Sequence, residues 1–109
     1  MSAKQIRVTT YGKGYRALID ALETCTPFKT SGALQAMAGV PYGTGRMPED
    51  EVKRFEAVRA QIKYTVLSYA TPIAWVLESG EAYVSRTSYS QSTTRHQSTV
   101  SAYLNGVYN

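Results

Sequence analysis

The fold is decided by residues 64–104, which carry the sequence YTVLSYATPIAWVLESGEAYVSRTSYSQSTTRHQSTVSAYL. The first half is rich in β-branched and aromatic residues with an alternating pattern, which is typical of strands. Pro72 interrupts the pattern, so we expect the strand to bend there or to lie at a sheet edge. The sequence Glu-Ser-Gly-Glu at residues 78–81 is typical of a hairpin turn. The stretch therefore predicts an antiparallel hairpin over about residues 63–88 and a helix over about residues 91–104.

The upstream chain predicts one more strand and further helices. Residues 4–11 have the alternation of a short strand, and the apolar spacing after Gly-Lys-Gly predicts a helix over residues 14–24. A short second helix is predicted over residues 32–38 from the spacing of its apolar residues. Pro48, followed by three acidic residues, predicts the start of another helix.

The predicted fold class is α+β. We expect a small antiparallel sheet, made of the hairpin at about 63–88 and the N-terminal strand, packed with three to four helices. The chain has 109 residues, of which 43% are hydrophobic and 18% are charged, and this composition is that of a globular protein. The length supports one modest core, so residues 1–109 are predicted to form a single compact domain.

The composition and the distribution of apolar residues also predict the cellular compartment of the protein. Its one cysteine excludes an internal disulfide and fits a reducing cytosol. Residues 1–5 are not followed by the apolar segment of a signal peptide. The apolar run at residues 73–77 is far shorter than the roughly 20 residues of a membrane-spanning helix. We therefore expect a soluble, intracellular protein without membrane contact.

Basic residues gather towards the two ends of the chain, and the formal net charge is +4. If the two ends pack together, these side chains form a basic face that attracts a phosphate backbone or an acidic protein. The alternative is ordinary solvated surface charge, and the pattern leaves both open. The basic residues that precede the first acid or follow the last one are Lys4, Arg7, Lys13, Arg16, Arg86 and Arg95.

No combination of residues predicts catalysis, a metal site or a cofactor. Residues 12–17 (Gly-Lys-Gly-Tyr-Arg-Ala) resemble a dinucleotide-binding glycine motif, but no acid follows about 20 residues downstream to hold a ribose. We favour turn glycines there, with a loose anion site as the alternative. Cys25 continues the apolar stripe of the helix at 14–24, so we expect a small buried residue and not a nucleophile activated by His96. One histidine and one cysteine supply too few ligands for a metal.

The start of the last predicted helix holds the densest polar motif, Tyr-Ser-Gln-Ser-Thr-Thr-Arg-His-Gln at residues 89–97. Ser90 or Ser92 is expected to cap this helix. Helical spacing places Thr93 and His96 on its inner face, which predicts a packed, hydrogen-bonded histidine that fastens the helix to the hairpin. The alternative is that this first turn contacts a phosphate or a base.

Nine tyrosines are many for a chain of this length. Together with arginines they suit stacking on nucleic acid, and they equally suit the hot spots of protein interfaces. Residues 41–46 (Pro-Tyr-Gly-Thr-Gly-Arg) form the expected exposed contact loop. The predicted binding residues are Tyr42, Arg46, Arg86, Tyr89, Thr93, Thr94, Arg95, His96 and Gln97.

Four segments carry a family resemblance: residues 68–75 (Ser-Tyr-Ala-Thr-Pro-Ile-Ala-Trp), 89–97, 28–34 (Phe-Lys-Thr-Ser-Gly-Ala-Leu) and 42–46 (Tyr-Gly-Thr-Gly-Arg). On these segments the chain resembles a family of small uncharacterised bacteriophage proteins, in the form carried by phages of actinobacteria. It departs from the family where Gln-Ser stands in place of a shorter spacer before the Thr-Thr pair. The resemblance implies an accessory phage protein in the cytoplasm of the infected bacterium, and it assigns no residue roles.

These observations favour a non-enzymatic, phage-encoded interaction protein that binds a host or phage macromolecule, with a protein as the preferred partner. The alternative is a nucleic-acid-binding protein that uses the basic face and the cap of the last helix. A homodimer through the strand beside Thr71 and Pro72 is a further expectation, since unpaired strand edges invite pairing.

Overall fold

The structure is a computed structural model that describes residues 5–104. It contains six strands, three α-helices and one short 3₁₀ turn, so the predicted α+β class is confirmed. The elements in chain order are β1 (Ile6–Arg7), α1 (Gly14–Thr24), β2 (Phe28–Lys29), β3 (Leu34–Ala38), α2 (Glu49–Val58), the 3₁₀ turn (Arg59–Gln61), β4 (Ile62–Ser68), β5 (Thr71–Leu77), β6 (Ala82–Val84) and α3 (Gln91–Tyr103).

All six strands belong to one sheet, and their order in space is their order in the chain. β1 pairs with β2 in parallel, and every other neighbouring pair is antiparallel. The sheet is therefore mixed and larger than the small antiparallel sheet that the sequence predicts. The strand predicted over residues 4–11 is shorter in the structure, where β1 contains only Ile6 and Arg7. Lys4, the first residue of the predicted strand, lies outside the described residues.

The predicted short helix at 32–38 is wrong, because its C-terminal part is strand β3. β3 pairs with β2 on one side and with β4 on the other. Leu34 and Ala36 are buried while Gln35 and Met37 are half-buried, which is the period of two that a strand requires. So short a segment is a poor helix by itself, whereas two neighbouring strands satisfy its backbone hydrogen bonds on both sides.

The hairpin contains a chain reversal that the sequence does not predict. β4 and β5 are antiparallel and joined at Tyr69 and Ala70, whose φ angles are 52° and 65°. Positive φ at both central residues is the condition for a type I′ turn, which normally selects Asn-Gly. Because neither residue is of the usual type, the sequence carries no turn signal at this point.

Pro72 lies at a local sheet edge, since β5 pairs with β4 at this point but with β6 only at residues 74–76. The predicted edge is therefore confirmed at Pro72, although β5 as a whole is an inner strand. Pro72 stands opposite Leu67, where the register between the two strands shifts. Such an irregularity accommodates a residue without an amide hydrogen. The predicted turn at 78–81 is confirmed, but β6 ends at Val84 and not near residue 88.

Replacing Tyr69 and Ala70 with Asn and Gly is expected to raise the free energy of unfolding by about 1–2 kcal/mol, because a non-glycine residue in the left-handed region costs roughly 1–2 kcal/mol. Urea denaturation measures the change. Ala70→Gly alone serves as the partial control and is expected to give a smaller gain. A loss of stability in both variants would contradict the turn geometry.

Helices cover both faces of the sheet. On one face, α1 and α3 pack together through Tyr15 and Tyr103, whose ring centroids lie 6.4 Å apart. The buried core on this face includes Leu18, Leu22 and Val100, so helix α1 is confirmed over its predicted range of 14–24. None of the helices within residues 5–104 has the length and apolar character that crossing a bilayer demands.

Helix α2 packs on the opposite face, and it begins directly after Pro48 as predicted. Phe55 from this helix lies edge-on against Trp75 of β5, with ring centroids 4.9 Å apart. Met47 and Ile62 complete this second core. The loop between β3 and α2 runs over the same face, and it carries residues 44–48 towards the start of β5.

Candidate functional site

A cleft of about 870 Å³ opens where the β4–β5 turn, the loop before α2 and the start of α3 meet. We call it the Arg46 cleft. Among residues 5–104, Arg46 is the only charged residue that lines it, beside seven serine and threonine side chains, two tyrosines and a proline. The lining residues are Arg46, Pro48, Ser68, Tyr69, Thr71, Thr87, Ser88, Tyr89, Ser90, Ser92 and Thr93.

The position of Arg46 is set by a close backbone contact. Gly45 has φ 55°, and a Cβ atom at this residue would come within 2.8 Å of Thr71 Cα and 2.9 Å of the Ala70 carbonyl oxygen. Only glycine permits both the conformation and the approach. The Arg46 amide then donates to Thr71 Oγ1 at 2.9 Å. The loop is thus fixed to β5 immediately beside the arginine.

Helix α3 begins at the cleft, and Ser90 caps it as predicted. The Thr93 amide donates to Ser90 Oγ at 3.2 Å, and Thr94 Oγ1 donates to the Ser90 carbonyl oxygen at 3.1 Å. Thr93 is buried, and its Oγ1 lies 3.0 Å from Ser68 Oγ at the end of β4. Capping and attachment to the sheet are therefore performed by the same short cluster of hydroxyl groups.

The predicted hydrogen bond between His96 and the hairpin is present. His96 Nδ1 lies 2.8 Å from Ser68 Oγ, and its ring centroid lies 6.4 Å from that of Tyr69. Burial lowers the pKa of His96, which favours the neutral imidazole. His96 does not itself line the cleft but contacts the lining residue Ser68 directly.

Ser68 and His96 are residue types that serve as nucleophile and base in hydrolases, but the rest of a catalytic triad is not present around them within residues 5–104. Ser68 is only 1% exposed and shares its hydroxyl with Thr93. No carboxylate orients the imidazole among the hydrogen bonds of residues 5–104, although such a third group normally completes a catalytic triad. Cys25 lies elsewhere, at the end of α1, and burial raises the pKa of its thiol.

Glu51 is the centre of a buried polar cluster that sequence reasoning missed. Glu51 is 6% exposed, and its carboxylate accepts hydrogen bonds from three hydroxyl groups. Ser85 Oγ donates to Oε1 at 2.7 Å, and Tyr83 Oη and Thr87 Oγ1 each donate to Oε2 at 3.2 Å. The donors alternate along the extended chain, so the hydroxyl pattern Tyr-x-Ser-x-Thr was the available signal.

This cluster holds one wall of the cleft. Gln97 of α3 donates to the carbonyl oxygens of Ser85 at 2.9 Å and Thr87 at 3.1 Å. Residues 83–87 are therefore held on two sides. Glu51 accepts hydrogen bonds from side chains of this segment, and Gln97 donates hydrogen bonds to its backbone. Tyr89, the next lining residue, has a buried hydroxyl with no hydrogen-bond partner among the described residues, and burial, followed by the nearby Glu51 carboxylate, raises its pKa.

The structure gathers only part of the predicted binding set. Arg46, Tyr89 and Thr93 line the cleft, while His96 and Gln97 support it from behind. Other predicted residues are exposed and do not line it: Tyr42, Arg86, Thr94 and Arg95. The residues absent from the predicted binding set are Glu51 and eight lining residues, namely Pro48, Ser68, Tyr69, Thr71, Thr87, Ser88, Ser90 and Ser92.

The sheet, the two helical layers and the hydroxyl-lined cleft define a small α+β protein with a candidate binding site at the Arg46 cleft. Residues 8–106 match a family of unknown function, DUF8033, and the chain belongs to that family. Comparisons with curated proteins and with solved structures give no match.

Proposed function

We propose that the chain is a non-enzymatic accessory protein, encoded by a phage, that binds a host or phage protein through the Arg46 cleft. The observation that carries this proposal is the cleft itself, a hydroxyl-lined opening with one arginine and exposed tyrosine at its border. Tyrosine and arginine dominate the binding energy of protein interfaces. Serine and threonine hydroxyls add adaptable hydrogen bonds to a peptide backbone or side chain.

Tyr69 is the strongest candidate for an anchor residue. Its side chain is 60% exposed although its backbone is held in the left-handed region, which is costly for a bulky residue. A tyrosine in this turn has no evident benefit for stability, because asparagine or glycine suits the conformation better. A role in binding explains why a costly residue stands at the border of the cleft.

A non-enzymatic role is proposed because the one base near the cleft lacks the groups that would activate it. His96 accepts or donates at Nδ1 to a serine that is itself buried. Incubation of the purified protein with nucleotides, nucleic acids and ester substrates tests this part of the proposal. Hydrolysis that disappears in His96→Ala would reverse it.

Nucleic-acid binding is the second candidate, and Tyr69 beside Arg46 is the observation that favours it, because single strands bind by stacking and phosphate contacts. Two features weigh against it. The exposed acids Glu49 and Asp50 directly follow the lining residue Pro48. Arg7 lies in β1 at one edge of the sheet, whereas Arg86 follows β6 at the other edge. Binding that weakens steeply with added salt would support this candidate.

Affinity capture from host lysate, with and without nuclease, tests the proposed function. The bait is the wild-type protein, Tyr69→Ala, or Tyr11→Ala as the matched control, since Tyr11 is 73% exposed and outside the cleft lining. We expect the wild-type and Tyr11→Ala baits to capture the same host or phage protein, with or without nuclease treatment. The amount captured by Tyr69→Ala is expected to be at least tenfold lower. A captured set that is identical for all three baits would contradict docking at the cleft.

Phage origin and location in the host cytoplasm are part of the proposal, and the four resembling segments support them. Fractionation of infected cells with a tagged copy tests the location. A homodimer is the other proposed partner, and light scattering of the purified protein tests it. Its contact would involve the strand beside Thr71 and Pro72, where β5 has no pairing with β6.

A further inference from the structure

We infer that the partner segment that enters the Arg46 cleft carries a single acidic side chain, flanked by neutral residues, whose carboxylate pairs with Arg46. The inference rests on the proposed function and specifies the chemistry of its ligand. It follows from three observations within residues 5–104: the unpaired charge of Arg46, the fixed position of its backbone and the serine hydroxyl groups nearby that make no hydrogen bond.

Arg46 is exposed and has no acidic partner among residues 5–104. The ion pair found in that part of the chain joins Arg59 and Glu56, whose side-chain atoms lie 2.7 Å apart. A guanidinium group presents five N–H donors and matches a carboxylate with two parallel hydrogen bonds. The group best suited to complete Arg46 is thus a carboxylate from outside the chain.

The backbone that carries Arg46 is already ordered before any ligand arrives. Gly45 packs against Thr71, and the Arg46 amide donates to Thr71 Oγ1 at 2.9 Å. A fixed anchor loses less conformational entropy on binding than a mobile loop does. An arginine that is held through its backbone and has no acidic partner among the described residues is therefore well placed to bind a ligand at the cleft.

The lining supplies further donors for the same carboxylate. The side chains of Ser88 and Ser92 line the cleft and make no hydrogen bond within the described chain, whereas Ser90 and Thr93 are occupied by capping. A carboxylate accepts hydrogen bonds from hydroxyl and guanidinium groups at once. The nearby positive end of α3 favours a negative group in the same direction.

A single acid suits the surroundings better than a polyanion does. Glu49 and Asp50 are exposed and directly follow Pro48 of the lining. Neither acid lines the cleft, but a run of phosphates that extended from Arg46 past Pro48 would approach these two carboxylates, whereas one carboxylate beside Arg46 would not. Tyr69 and Pro48 offer apolar surface for neutral flanking residues.

Amide NMR titration tests the inference. The probe is the blocked peptide Gly-Ala-Glu-Ala-Gly, and its glutamine counterpart is the neutral control. We expect saturable shifts of the Arg46, Ser90 and Ser92 amides with the glutamate peptide. The glutamine peptide is expected to bind at least tenfold more weakly, a change of about 1.4 kcal/mol. Arg46→Met should lose the same factor, while Arg16→Met, an exposed arginine on α1, should bind like the wild type.

Two further probes separate the sources of negative charge, namely inorganic phosphate and a thymidine octanucleotide. Binding of either at the cleft without peptide binding would overturn the inference in favour of nucleic acid. Equal binding of the glutamate and glutamine peptides, or no shift with any probe, would also overturn it. The peptide pair needs no variant, so a poorly folding Arg46→Met leaves the test decisive. If the inference fails while Tyr69-dependent capture persists, the proposed function stands without it.

Discussion

Replacing Glu51 with alanine is expected to lower the free energy of unfolding by about 3 kcal/mol. The substitution leaves the hydroxyl groups of Tyr83, Ser85 and Thr87 without their shared acceptor, and Ser85 is itself buried. A hydrogen bond to a charged group contributes roughly 1.5–3 kcal/mol, and a buried donor left unsatisfied costs roughly 1–3 kcal/mol. Urea denaturation monitored by the fluorescence of Trp75, which stacks 4.7 Å from Tyr83, measures the loss.

Two variants show whether the hydrogen bonds are the cause. Glu51→Gln keeps an acceptor oxygen and nearly the same shape, so we expect it to lose less than half as much stability as Glu51→Ala. Glu49→Ala removes an exposed acid from the same first turn of α2. It is expected to cost no more than about 1 kcal/mol, the value of the helix-dipole interaction alone. Equal losses at Glu49 and Glu51 would show that the buried cluster contributes nothing beyond that interaction.

Replacing Gly45 with alanine is expected to lower the free energy of unfolding by about 2–4 kcal/mol and to displace Arg46. The added Cβ would approach Thr71 Cα to 2.8 Å and the Ala70 carbonyl oxygen to 2.9 Å, in a backbone with φ 55°. Steric overlap with backbone atoms and a left-handed conformation both oppose the change, and neither is relieved by rotating a side chain. Binding of the glutamate peptide should weaken together with stability, because the Arg46 amide cannot donate its hydrogen bond to Thr71 Oγ1 in the displaced loop.

Gly43→Ala is the matched control in the same loop. A Cβ at Gly43 meets no atom within 4 Å, and this residue does not have a positive φ. We expect a change within about 0.5 kcal/mol, with a slight gain allowed by the smaller entropy of the unfolded chain. If Gly45→Ala is as harmless as Gly43→Ala in both stability and peptide binding, then the close contact does not hold the loop as described.

Elements with local signals were predictable. Helix α1 occupies its predicted range, since its apolar spacing is strong and a glycine-rich turn precedes it. The start of α3 was predictable because Ser90 caps it through a residue only three positions away. The contact between His96 and the hairpin was also predicted, from the position of the ring on the inner face of that helix.

Elements that depend on distant neighbours were not predictable in the same way. Strand β3 is short, and its conformation follows from pairing with β4, about 30 residues further along the chain. The turn at Tyr69 and Ala70 lacks the residue types that announce a type I′ turn, and the antiparallel pairing of β4 and β5 imposes it. Glu51 looked like one of three acids at a helix start, and only packing places it beneath a row of hydroxyl groups.

By itself, the sequence determined the α+β class, helices α1 and α3, the beginning of α2 and the hydrogen-bonding role of His96. These features depend on periodicity and caps, which act over a few residues. Only the tertiary structure decided the Arg46 cleft. It joins Arg46 to Thr71 across 25 residues and Ser68 to His96 across 28, while Glu51 holds one of its walls through Ser85 across 34. No local pattern encodes contacts of that range, because they form when the sheet brings separate segments to one edge of the fold.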